Sequence, residues 1–230
     1  MPMDLTEFDV FDESNVEFMD AVAETLSSTV ISEIFQDQLV VVNSNAKSCT
    51  LNLSIKPVHK LNSKLLNSCL TLVDQNLSAH YSRQNGKEWK LEKREEMLQD
   101  GLIYIFYKDE DSGNIVAFLS FMLTYYEPEE KINKVLYLFE IHVSKSYQSL
   151  RIGAELIERF HLVAKRLHEL KDDDLLSVDA TCLTVFSNNT KALKWYEALN
   201  YKVTEDSPKD KVLRNKKVIK PPYYILTRTL

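Results

Sequence analysis

A single carboxylate, Glu140, stands inside an otherwise apolar run, Val135–Val143 (VLYLFEIHV). A charge in such a run is costly unless it is paired or put to use. One use is to accept a proton. The run ends at Val143, and a polar loop, Ser144–Arg151, leads into an amphipathic stretch that begins at Ile152-Gly153. A strand that feeds a helix through such a loop aims several backbone N–H groups at one spot, beside the positive end of the helix dipole. That spot suits a pyrophosphate, and Arg151 adds a charge-assisted donor. A possible proton acceptor and a polyanion cradle therefore lie next to each other in the chain.

The surrounding elements must hold them. The near-continuous apolar character of 135–143 predicts a central strand covered on both faces. Strict alternation puts Leu136, Leu138, Glu140 and His142 on one face, with Tyr137 and Phe139 on the other. Ile152, Leu156, Phe160, Val163, Leu167 and Leu170 mark one face of a helix. Upstream, TLNLSI (50–55) alternates as a strand. Asn62–Tyr81 reads as a helix, and Trp89–Leu98 as a shorter one with Trp89 as a packing anchor. Leu102–Tyr107 and Asn114–Tyr126 form a hairpin around Asp111-Ser112-Gly113. Downstream come a strand at 180–186, a helix at 189–199, a strand at 201–204, a basic loop at 209–220 and a last strand at 223–230. The expected fold class is α/β, a mixed central sheet of about six to seven strands with helices on both faces. Residues 1–45 read as an N-terminal extension, possibly packed on the core, and 46–230 as one domain.

Bulk properties narrow the class. Of 230 residues, 44% are hydrophobic, enough for a sizeable core and unlike a disordered chain. The net charge of −6 argues against direct nucleic-acid binding. Three widely separated cysteines, Cys49, Cys69 and Cys182, and five histidines without ligand spacing predict no metal site. The acidic N-terminus lacks the apolar segment of a secretory signal, and no apolar stretch is long enough to span a membrane, so an intracellular chain is expected.

The spacing Gln148-x-x-Arg151-x-Gly153 resembles the acetyl-CoA signature of the GNAT superfamily of N-acetyltransferases, Gln/Arg-x-x-Gly-x-Gly/Ala, with Arg151 where the first glycine is usual. Leu183–Tyr201 (LTVFSNNTKALKWYEALNY) resembles the other half of a GNAT site. The resemblance implies the GNAT fold, in which two neighbouring strands, here 135–143 and 180–186, splay apart and hold the cofactor arm. It implies acetyl-CoA as co-substrate, bound by backbone at Ile141, His142 and Val143, by the loop and helix start at Gln148, Arg151, Ile152, Gly153 and Ala154, and by Asn189. For Asn189 a plain helix N-cap is an equally open reading. Glu140 would remove a proton from the attacking amine, directly or through water, or be a structural carboxylate held by a nearby Lys or Arg. Tyr196 matches the tyrosine that protonates the leaving thiolate in many GNAT enzymes, or packs.

LEKREEM (91–97), YLFEIHV (137–143), LTVFSNN (183–189) and PPYYIL (221–226) together resemble NatD-type N-α-acetyltransferases. That resemblance implies transfer to the free amine of histones whose N-termini read Ser-Gly-Arg-Gly, or of nascent chains, without an auxiliary subunit, in nucleus and cytoplasm. It implies substrate contacts from Tyr104, Tyr137, Phe139 and Tyr223. The family's two acids for the substrate Arg fall on Thr124 and Tyr126 here, so the match fails there and Glu127 is the candidate. Two other functions remain open: a GNAT enzyme acting on lysine side chains or small amines, and a non-catalytic acetyl-CoA-binding module.

Overall fold

The structure is a computed structural model that describes residues 5, 8, 10–35, 37–42, 48–126, 133–170 and 173–230. Helix α1 (Val16–Leu26) is capped by Asn15, whose side chain accepts from the Phe18 N–H. It runs through a wider turn into α2 (Ser32–Ile34). Strands β1 (Gln38–Val42) and β2 (Ser48–Pro57) follow, then α3 (Ser63–Asn85), capped by Asn62, and α4 (Trp89–Glu96). Next come β3 (Ile103–Asp109), β4 (Ile115–Tyr126), β5 (Asn133–Val143), α5 (Ile152–His168), β6 (Ala180–Phe186) and α6 (Thr190–Ala198). The chain ends with β7 (Lys202–Val203), β8 (Lys211–Val212), β9 (Val218–Ile219) and β10 (Tyr223–Thr229).

Eight strands form one sheet in the order β1-β2-β3-β4-β5-β6-β10-β7. Only the β5–β6 pairing within it is parallel; the ladders from β1 to β5 and from β6 through β10 to β7 are antiparallel. The sheet is wider than the expected six to seven strands because β1, from the N-terminal segment, adds an edge. The basic loop at 209–220 contains a small hairpin, β8–β9, that periodicity did not reveal.

Apolar burial explains the layers. Helix α5 buries Ile152, Leu156, Phe160, Val163 and Leu167 against one face of the sheet, where Phe160 meets Phe121 edge-on at 5.4 Å. Helix α1 contributes Phe18, Met19, Val22 and Leu26 to the same buried cluster. Helices α3 and α4 lie on the opposite face: His142 and Glu140 bond to side chains of these two helices.

Candidate active site

Strands β5 and β6 pair from Val135↔Ala180 to Leu138↔Leu183, and there the ladder stops. Beyond it, Phe139–Val143 and Thr184–Phe186 diverge. The gap is a cleft of about 1040 Å³. Its walls include Phe139–Val143 on one side, Leu183–Phe186 on the other, and the start of α5 at one end.

A β-bulge decides what faces this cleft. Ser120 pairs with Glu140, but Phe121 pairs with Leu138, so Phe139 is the extra residue on β5. Paired residues share a face and consecutive residues alternate. Leu136 and Leu138 therefore point with Phe121 toward α5. Glu140 and His142 point with Ser120 and Phe118 toward α3 and α4, and Tyr137 joins them. The alternation read from sequence, with Leu136, Leu138, Glu140 and His142 on one face and Tyr137 on the other, is corrected here. One inserted residue reverses it.

Glu140 is buried and fully engaged. Its Oε1 pairs with the ammonium of Lys93, which is itself only 3% exposed. Its Oε2 accepts from His142 Nε2 at 2.5 Å, and the Tyr81 hydroxyl approaches Oε1 at 3.5 Å. The His142 tautomer follows from its other neighbour. The Asn76 amide nitrogen donates to the Val143 carbonyl at 3.1 Å and faces His142 Nδ1 at 3.3 Å, so Nδ1 is the acceptor and Nε2 carries the proton. Burial alone would push the Glu140 carboxyl up. Lys93 and His142 outweigh that and hold it down to about 2. Lys93 also bonds Glu96 at 2.5 Å, a half-exposed carboxylate on the cleft wall. Behind it, Tyr81 stacks on Trp89 at 4.5 Å, and the Lys93 ammonium lies 5.6 Å from the Tyr81 ring. Trp89 is a buried packing residue, as its sequence context suggested.

At the other end of the cleft lies the start of α5. Arg151 precedes α5 with φ 65°, as does Ser149 two residues earlier with φ 65°. Both take the left-handed conformation that a glycine-rich loop adopts easily, so Arg151 keeps the backbone path despite its Cβ. The first intrahelical bond runs from the Glu155 N–H to the Arg151 carbonyl, which leaves the N–H groups of Ile152, Gly153 and Ala154 without helical acceptors. All three residues and Arg151 line the cleft. A Cβ on Gly153 would meet only Val143, at an ordinary 3.7 Å, so packing within the fold does not itself demand glycine there. Gln148 donates to the Val143 carbonyl at 3.1 Å and so also shapes the strand end.

The remaining residues singled out in the sequence divide. Asn189 caps α6, accepting from the Ala192 N–H at 3.2 Å, and lines the cleft as well. Tyr196 lies on the cleft, buried beside Trp195 and Tyr201, and burial pushes its phenol up. Tyr137, Phe139 and Tyr223 line the cleft. The Tyr137 hydroxyl lies 2.5 Å from Thr184 Oγ1, and burial pushes it up to about 12. Tyr104 does not line the groove: it is completely buried, stacks on Phe106, and donates to the Met97 carbonyl at 2.6 Å. Its strand is two removed from the opening, and its ring packs against Phe106 and Phe118. Glu127 lies outside the described residues. Thr124 donates to Glu13 and Tyr126 to Asp206, and neither lines the cleft. Lys93, Tyr81, Asn76 and Glu96 carry the site and were not singled out for it in the sequence. The available signal was LEKREEM, a lysine between acids one turn from a tryptophan.

Comparison with known proteins agrees with this architecture. Residues 99–203 match the family model described as acetyltransferase (GNAT) domain. Over those residues the chain is similar to a GNAT acetyltransferase domain, and its sheet and cleft have the GNAT fold. It is 35% identical over 160 residues to the N-alpha-acetyltransferase 40 of Saccharomyces cerevisiae, covering 63% of this chain and 54% of the yeast protein. The chain therefore matches about half the length of that relative. Among solved structures, PH1933 of Pyrococcus horikoshii superposes with a TM-score of 0.52 at 18% identity, over 78% of this chain and 99% of that one. NAA60 of Arabidopsis thaliana in complex with a bisubstrate analogue gives 0.50 at 11% identity, over 78% and 99%. Among the described residues no group of three or more His, Cys, Asp or Glu is placed to hold a metal ion. No helix among them is long and apolar enough to cross a membrane.

Proposed function

We propose that this chain transfers the acetyl group of acetyl-CoA to the free α-amine of a protein N-terminus, and that histone tails beginning Ser-Gly-Arg-Gly are its substrate. One observation carries the reading. A single cleft joins the α5 N-terminus and Arg151 at one end to the Lys93–Glu140–His142 cluster, where β5 and β6 part. Main-chain donors of Ile152, Gly153 and Ala154, with Arg151, suit the diphosphate of acetyl-CoA. The open backbone of Phe139–Val143 suits its extended arm. The NatD resemblance and the yeast relative support a protein α-amine as acceptor.

The chemistry follows from the charges. A terminal α-ammonium has a pKa of about 7.7–8.0. A carboxyl held near 2 would take its proton only against about 8 kcal/mol. The amine therefore arrives neutral. As its nitrogen attacks the thioester carbonyl, the N–C bond forms, the C–S bond breaks, and positive charge builds on nitrogen. Glu140, held ionised, is the fixed anion that stabilises this charge. As the tetrahedral intermediate collapses, the nitrogen becomes an amide nitrogen and gives its proton to solvent in the cleft, and the departing sulfur takes one up. Tyr196 lies on the cleft and is the hydroxyl that the GNAT resemblance offers as donor. Tyr137, Phe139 and Tyr223 form aromatic walls for a small, flexible terminus. Glu127 is the residue offered by the sequence for the substrate Arg, and Glu96 adds a carboxylate on the cleft wall.

The test is mass spectrometry of tail peptides incubated with the chain and acetyl-CoA. Acetyl is expected on the α-nitrogen of a Ser-Gly-Arg peptide, at a higher rate than on a Ser-Gly-Ala peptide. Acetyl on internal lysine alone would favour a lysine acetyltransferase. Binding of acetyl-CoA without turnover would favour a binding module. Equal rates on the two peptides would remove the acidic pocket.

A further inference from the structure

Lys93 has no role in the reading drawn from sequence, yet it is only 3% exposed, bonded to two carboxylates and set 5.6 Å from the Tyr81 ring. Its ammonium is shared between the buried Glu140 and the cleft-wall Glu96. A lysine is not buried this way for packing alone, because an apolar chain would fill the space without desolvating a charge. We propose that Lys93 is a positioning residue of the acetyl-transfer site, fixing Glu140 as a carboxylate turned into the cleft. The proposal rests on the acetyltransferase reading above.

The groups around Glu140 single out Lys93. From α3, Tyr81 and Cys69 face it; from α4, Lys93 and Glu96; from β3, Tyr104; from β5, His142; from α6, Tyr196. The three phenols and the thiol are pushed up by burial and stay neutral. His142 donates from Nε2, but its Nδ1 is committed to the Asn76 amide. Among the described residues, Lys93 is thus the permanent cation beside Glu140. Remove it, and the His142 N–H alone is left to oppose burial. Loss of an opposite charge at this range raises a carboxyl by about 1–3 pH units. Glu96 supports the arrangement from the exposed side, giving the ammonium a second acceptor. Two carboxylates on one ammonium also leave the cluster one negative charge in excess, the sign that favours a nitrogen turning positive.

The experiment compares wild type, Lys93→Met, Lys93→Gln and Lys93→Arg. In the full chain with ¹³C-labelled glutamate carboxyls, Glu140→Gln assigns the Glu140 resonance. Wild-type Glu140 is expected to remain ionised throughout the range above pH 4. In Lys93→Met and Lys93→Gln its midpoint is expected to rise by about 1–3 pH units, and in Lys93→Arg to stay close to wild type. Lys93→Gln keeps an N–H donor toward Glu140 and serves where Lys93→Met does not fold. In turnover, log kcat/KM for an N-terminal peptide should gain a second break on the acid side. The activity loss should then be greater at pH 4 than at pH 8, by about tenfold where the midpoint reaches pH 5. An unmoved Glu140 midpoint, or an equal loss of activity at both pH values, would overturn the proposal. If wild type acetylates no free N-terminus, the function proposed above fails, while the titration still decides what Lys93 does to Glu140.

Discussion

In the proposed function Glu140 joins a structural duty to a chemical one. Its pairing with Lys93 explains how a charge is tolerated in a covered strand: the cost of removing two ions from water is offset by their mutual attraction and by the His142 N–H. The same pairing makes it a stable anion and a weak base. We expect Glu140→Gln to lower kcat by roughly 10²-fold or more with the fold retained, since Lys93 still has Glu96 as partner. Steady-state kinetics beside a circular-dichroism spectrum checks this. A stability consequence has a definite sign. The folded carboxyl titrates near 2, below its ordinary 4.5, so its contribution is present above pH 4.5 and disappears as pH falls from there through 2. A gap of that size is on the order of 3 kcal/mol. Denaturant unfolding at pH 7 and pH 3 should therefore show a larger loss for wild type than for Glu140→Gln. The sequence exposed Glu140 because a lone carboxylate in VLYLFEIHV is conspicuous. It concealed Lys93, because that residue sits between Glu92 and Arg94 in a mostly charged stretch, with nothing local to mark it as buried. Only the stacking of Tyr81 on Trp89 and the approach of Glu140 from another element bury that ammonium.

At the scale of the element, strand ends and helix starts make the site. The β5 bulge turns Glu140 and His142 toward α3, and the end of the β5–β6 ladder opens the cleft. Neither feature has a strong local signature. A bulge is set by register against β4, a partner nearby in sequence whose offset alternation alone does not fix. Helix starts are more legible. Asn15, Asn62 and Asn189 each cap a helix, and the polar loop before Ile152 marked α5. Asn189 allows a direct test of its two readings. Asn189→Ala should cost about 1 kcal/mol of stability through the lost cap, while Asn189→Ser should retain most of it. If Asn189 also contacts acetyl-CoA, calorimetry will show weaker binding in both variants. If it is a cap alone, Asn189→Ser will bind as wild type does.

Across the whole molecule, the N-terminal segment shares the core of the elements that form the cleft. Phe18 is wholly buried and meets Phe11 edge-on at 5.2 Å, and Phe11 in turn meets Tyr125 of β4 at 5.0 Å. Gly101, at φ 83°, sits so close to α1 that a Cβ would lie 2.5 Å from the Met19 terminal methyl. We propose that residues 1–45 and the domain after them unfold together. Phe18→Ala should cost about 3–5 kcal/mol and lower the midpoint of a single calorimetric transition. Two separate transitions would show instead that the segment is an independent unit.

By itself, the sequence determined most of the helices and strands from residue 50 onward, the polar loop before α5 and the lone carboxylate of Glu140 in a covered strand. Each depends on local periodicity, local capping or a charge out of place among apolar neighbours. The tertiary structure decided the face on which Glu140 lies, the burial of Lys93 and the withdrawal of Tyr104 from the groove. It also decided the addition of β1 to the sheet. These depend on register and on contacts between elements distant in the chain, where one bulged residue or one covering helix changes a side chain's surroundings without changing the local pattern.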